Sequence, residues 1–104
     1  YMSPEQIRNA KDVDFRADIY SLGATLFHLV TGRAPFEGDS PFEIAIKVTT
    51  MATPRVREIN PAVPPPIAEM IEKMLAKSPQ SRYQHSGELL AALKSAVQRQ
   101  ATNN

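Results

Sequence analysis

The stretch from Phe15 to Thr31 constrains this chain more than any other. Asp14 ahead of it can cap a helix by accepting a bond from a free amide of the first turn. Gly32 behind it can take the left-handed backbone that stops a helix. After the first turn its polar residues are Asp18, Ser21, Thr25 and His28, at spacings of 3, 4 and 3. On a helix they form one narrow stripe. The remainder, from Ile19 and Tyr20 through Leu22, Gly23, Ala24, Leu26 and Phe27 to Leu29 and Val30, is apolar or small. A helix apolar around most of its circumference belongs inside a protein.

Four further helices are expected around it. Ser3-Pro4-Glu5-Gln6 is a capping box with proline at the first helical position. Ser40-Pro41-Phe42-Glu43 is a second, opening a helix from about Pro41 to Val48. From about Pro66 to Ala76, Ile67, Met70, Ile71, Met74 and Leu75 fall at i, i+3, i+4, i+7 and i+8, one amphipathic face. Glu69 and Lys73 are expected to pair on its outer side. A last helix, from about Gly87 to Gln100 and capped by Ser86, is expected to turn Leu89, Leu90, Leu93, Ala96 and Val97 inward. Residues 101–104 read as a frayed tail. The stretch from about Thr49 to Val63 reads as a loop, and no segment alternates like a strand. The fold class is therefore all-α.

Composition excludes several functions. Twelve Lys+Arg against 11 Asp+Glu leave a charge of +1, too little for a nucleic-acid binder or a polybasic membrane anchor. The absence of cysteine removes disulfides, thiolate metal sites and a thiol nucleophile. No apolar run is long enough to span a bilayer. A chain of 104 residues is one domain or a piece of one. The central helix needs neighbours on most sides, and short amphipathic helices cannot supply them all. Together with the opening at Tyr1 on a helix-start signal, this reads as part of a larger unit.

Catalytic patterns are absent. The four glycines form no phosphate loop. His28 and His85 lack metal-site spacing, and no serine sits in a G-x-S-x-G elbow. Asp12 and Asp14 lie where anions favour a helix start.

Three blocks, however, resemble a family in order. Tyr1-Met2-Ser3-Pro4-Glu5-Gln6 resembles the segment closing the activation loop of eukaryotic-type Ser/Thr protein kinases, where Ala-Pro-Glu is usual. Asp18-Ile19-Tyr20-Ser21-Leu22-Gly23 resembles the next signature, with Tyr20 in place of the usual Trp, followed by Leu29-Val30-Thr31-Gly32 and Pro35-Phe36. Leu75-Ala76-Lys77-Ser78-Pro79-Gln80-Ser81-Arg82-Tyr83 resembles the last signature, which ends in arginine. The Ser-Pro-Glu variant, Tyr20 and the proline-rich loop look most like bacterial members.

The resemblance implies that residues 1–100 are the C-terminal helical subdomain of the large lobe of the α+β kinase fold. It implies that Glu5 pairs with Arg82 to tie the activation segment to this subdomain. It implies that Asp18 supports the catalytic loop through backbone amides, a partner this chain lacks. Tyr1 and Met2 would wall the pocket beside the phosphorylated residue. Phe42 and Ile46 would offer a docking surface, with core packing as the alternative. No catalytic residue, metal ligand or cofactor-binding residue is expected in the chain, because the Gly-rich loop, strand lysine, H-R-D loop and D-F-G aspartate all precede Ser-Pro-Glu. The parent would use ATP and Mg²⁺ to phosphorylate Ser or Thr of proteins in the cytoplasm, with any membrane anchor elsewhere. The fragment alone would be inactive and bind neither. Its partners would be the rest of the kinase domain and the protein substrate. The alternative is a non-catalytic pseudokinase lobe or helical interaction module.

Overall fold

The structure, a computed structural model, describes residues 1–8 and 13–102, with side chains through Arg99. Asp12 lies outside the described residues, as do 103–104 of the expected tail. Six α-helices follow in order: α1 (Pro4–Arg8), α2 (Phe15–Thr31), α3 (Pro41–Thr50), α4 (Val56–Ile59), α5 (Pro65–Met74) and α6 (Ser86–Thr102). A short 3-10 turn, Pro79–Ser81, precedes α6. No strand occurs among the described residues.

The local chemistry sets the boundaries. Asp14 accepts from the Arg16 amide and starts α2, and Gly32 ends it at φ 82° with its amide bonded to the His28 carbonyl. Ser3 and Gln6 form both halves of their capping box. Ser40 accepts from the Glu43 amide, but the Glu43 carboxylate turns to the Asp39 amide instead of closing the box on Ser40.

The buried centre joins Tyr20, Ala24 and Phe27 of α2 to Phe36, Val48, Val56, Val63, Ala68, Ile71 and Leu75. A second cluster groups Ile19, Met70, Met74 and Tyr83. Gly23 is where α2 meets α5. A Cβ there would stand 2.7 Å from the Met74 Cβ, so only glycine permits this approach. α6 packs on the far side of α5. The uncovered face of α2 carries Phe15, Asp18, Leu22, Thr25 and Leu29, and Leu29 is 75% exposed.

Four expectations need correction. The stretch expected as loop contains α4, whose first amide is held by the Glu72 carboxylate at 3.0 Å and whose following Asn60 reaches the Val30 carbonyl at 2.9 Å. On α6, Leu89, Ala92 and Ala96 face α5, whereas Leu90, Leu93 and Val97 are exposed. The apolar stripe is wider than the single helix it packs against. α6 is capped not by Ser86 but by His85, whose Nδ1 accepts from the Glu88 amide at 3.2 Å. Glu69 and Lys73 form no ion pair among the described residues; the Lys73 ammonium lies over the Tyr83 ring, 4.7 Å from its centre.

Candidate functional site: the arginine anchor

Arg82 follows the 3-10 turn and points back under α2. Its side chain is fully buried. A buried guanidinium must place five N–H donors, or the stranded ones cost several kcal/mol. All five are placed. Nε donates to the Ala76 carbonyl at 2.8 Å. Nη1 donates to Glu5 Oε2 at 2.6 Å and to the Arg16 carbonyl at 3.0 Å. Nη2 donates to Glu5 Oε1 at 2.8 Å and to the Lys77 carbonyl at 3.3 Å. The cation also lies 5.0 Å from the centre of the Tyr20 ring.

One side chain thus joins α1, the start of α2 and the end of α5. The two Glu5 bonds form the planar two-point contact that a guanidinium offers a carboxylate. Burial raises the Glu5 pKa, but the Arg82 hydrogen bonds, the Glu5 amide and the Arg82 charge outweigh it, and the net displacement is downward.

A second set of contacts holds the first residues. The Ser21 hydroxyl donates to the Tyr1 carbonyl. The Tyr1 hydroxyl shares a hydrogen bond with His28 Nδ1, and the two rings meet edge to face. Ser21 and His28 belong to the polar stripe of α2, which sequence reasoning singled out without naming its partner. A polar stripe on an otherwise apolar helix was the available signal. Tyr1 and Met2 remain more than half exposed.

Two cations meet the carbonyl end of α3. Arg8 donates to the Thr49 carbonyl at 2.9 Å and Lys77 to the Val48 carbonyl at 2.5 Å. Both suit the negative end of a helix. Burial, and then the nearby Arg8 charge, lower the Lys77 pKa.

Among the described residues, Asp18 makes no hydrogen bond and its side chain faces solvent. Phe42 and Ile46 stand one turn apart on the exposed side of α3, so neither is a core residue. No three His, Cys, Asp or Glu side chains converge among the described residues.

A protein kinase domain family model matches residues 1–96. The chain belongs to the protein kinase domain family. It is 42% identical to the serine/threonine-protein kinase PrkC of Bacillus subtilis over 96 residues, covering 92% of this chain and 15% of that protein. It is 43% identical to the serine/threonine-protein kinase PknB of Mycolicibacterium smegmatis over 94 residues, covering 89% of this chain and 15% of that protein. The chain thus spans about a seventh of the length of these kinases. The solved twitchin kinase region of Caenorhabditis elegans superposes with a TM-score of 0.75 at 22% identity, covering 89% of this chain and 16% of that one. The helices described here therefore adopt the arrangement of a C-terminal helical part of the kinase fold.

Proposed function

We propose that this chain is the scaffolding end of an active Ser/Thr protein kinase, whose upstream part carries ATP, Mg²⁺ and the catalytic aspartate. The observation that carries the reading is the buried Glu5–Arg82 pair, joining the Ser-Pro-Glu segment to the helices across 77 residues of sequence. In this role the pair fixes the end of the activation segment. Asp18, exposed and unbonded on the open side of α2, receives the backbone amides of the catalytic loop. Tyr1 and Met2, held on α2 by His28 and Ser21, wall the pocket beside the hydroxyl to be phosphorylated. Phe42 and Ile46 form an apolar patch for docking of the protein substrate. A cytoplasmic setting supplies the ATP such an enzyme needs and suits a chain without cysteine. No helix among the described residues is long and apolar enough to cross a membrane.

The test is phosphate transfer from γ-labelled ATP to a protein substrate by the complete kinase. Transfer is expected, with kcat reduced in Asp18→Asn while the fold is retained. A folded complete protein without transfer would favour the non-catalytic interaction module. The docking role is tested separately. Phe42→Ala with Ile46→Ala is expected to lower kcat/KM for a folded protein substrate several-fold and leave a short peptide substrate unchanged. An equal loss on both substrates would remove the docking role.

A further inference from the structure

A cavity of about 230 Å³ lies between α1, α2 and α3. Tyr20 and Ala24 line it from α2, Phe36 from the loop before α3, and Ile44, Ala45 and Val48 from α3. Tyr1 and Met2 also line it, beside Ile7. The cavity is half open, and its volume exceeds the about 150 Å³ that holds benzene in an enclosed apolar cavity.

Two of the lining residues carry a phenol hydroxyl, and that of Tyr1 is already bonded to His28 Nδ1. Tyr20 is 2% exposed, and its hydroxyl makes no hydrogen bond among the described residues. Every fully enclosed side-chain polar atom among the described residues does have a partner. The Tyr20 hydroxyl is therefore not fully enclosed, and the cavity is the space its side chain lines. Burial, far more than the opposing Arg82 charge, pushes this phenol up to about 12. It stays protonated at neutral pH and is a donor in need of an acceptor.

We propose that this cavity is a binding site for a small neutral aromatic molecule, a single ring bearing one acceptor oxygen that takes the Tyr20 hydroxyl proton in a hydrogen bond. Volume and apolar lining select the ring, and the unbonded Tyr20 hydroxyl selects the acceptor. The site shares Tyr1 and Met2 with the substrate surface proposed above, but the ligand is selected by Tyr20 and the α3 lining.

Acetophenone is a suitable probe and ethylbenzene its acceptor-free control. With the complete protein carrying residues 1–104, methyl NMR of Ile7, Ile44 and Val48 is expected to report saturable binding of acetophenone. Tyr20→Phe keeps the ring against Arg82 and is expected to weaken acetophenone about three- to tenfold, leaving ethylbenzene unchanged. Ala45→Leu, which fills the space from the outer helix, is expected to abolish both. No saturable shift with either probe, equal affinity in Tyr20→Phe, or undiminished binding in Ala45→Leu would overturn the proposal. So would shifts produced only by a substrate peptide, which would assign the cavity to a peptide side chain.

Discussion

Arg82 concentrates more consequence than any other side chain, because its burial makes each of its five bonds obligatory. Replacing it with Ala strands the Glu5 carboxylate and frees three carbonyls, and is expected to cost about 3–5 kcal/mol by denaturant unfolding of the complete kinase domain. A double-mutant cycle with Glu5→Gln is expected to give a coupling above about 1 kcal/mol. A value near zero would mean the two-point contact adds nothing beyond packing. Acid tests the same pair by a separate route. The folded Glu5 pKa lies below its ordinary 4.5, so its contribution is complete above that value and lost as pH falls through the folded pKa. Glu5→Gln is expected to flatten the stability curve below about pH 4.5. A parallel curve would exclude Glu5 as the titrating group. At this scale the sequence was readable only with help. Spacing alone places Glu5 within a capping box and gives Arg82 no partner, since nothing local joins positions 77 apart. Recognition of the motifs named them as partners. The Tyr20 hydroxyl carried no such signal, because a tyrosine on an apolar helix reads as packing until the space beside it is seen.

Elements were more legible where caps and periodicity agree. The limits of α2 follow directly from Asp14 and Gly32, and those of α3 start at Ser40. α4 escaped because four residues among prolines show no periodicity, and its amide is capped from outside, by Glu72 of the following helix. The inward face of α6 was misjudged because Leu90, Leu93 and Val97 are as apolar as the residues that do face α5. The crossing of α2 and α5 gives a sharp expectation. Ala is favoured over Gly in a helix by about 1 kcal/mol, yet Gly23→Ala is expected to destabilise by about 1–3 kcal/mol net, because its methyl must displace the Met74 backbone. Met74→Ala should not rescue it, since the obstructing Cβ remains. A neutral or stabilising Gly23→Ala in thermal unfolding would show that the two helices can separate freely.

The whole molecule is incomplete in its burial. α2 leaves Phe15, Leu22 and Leu29 uncovered, and α6 adds Leu90, Leu93 and Val97. Expressed alone, residues 1–104 are expected to bind apolar dyes, self-associate and unfold broadly. A monomer with a single sharp transition would contradict this. That incompleteness was visible in the sequence, as an apolar helix with too few partners, and it agrees with a chain spanning 15% of PrkC. The long separation between Glu5 and Arg82 has one more consequence, in the order of synthesis. A ribosome releases Glu5 well before Arg82, so the acid end must wait in the nascent chain for its cation. Stalled translation products ending before Arg82 would therefore emerge with α1 undocked, and a protease added during synthesis would find that segment open until the last helices leave the exit tunnel.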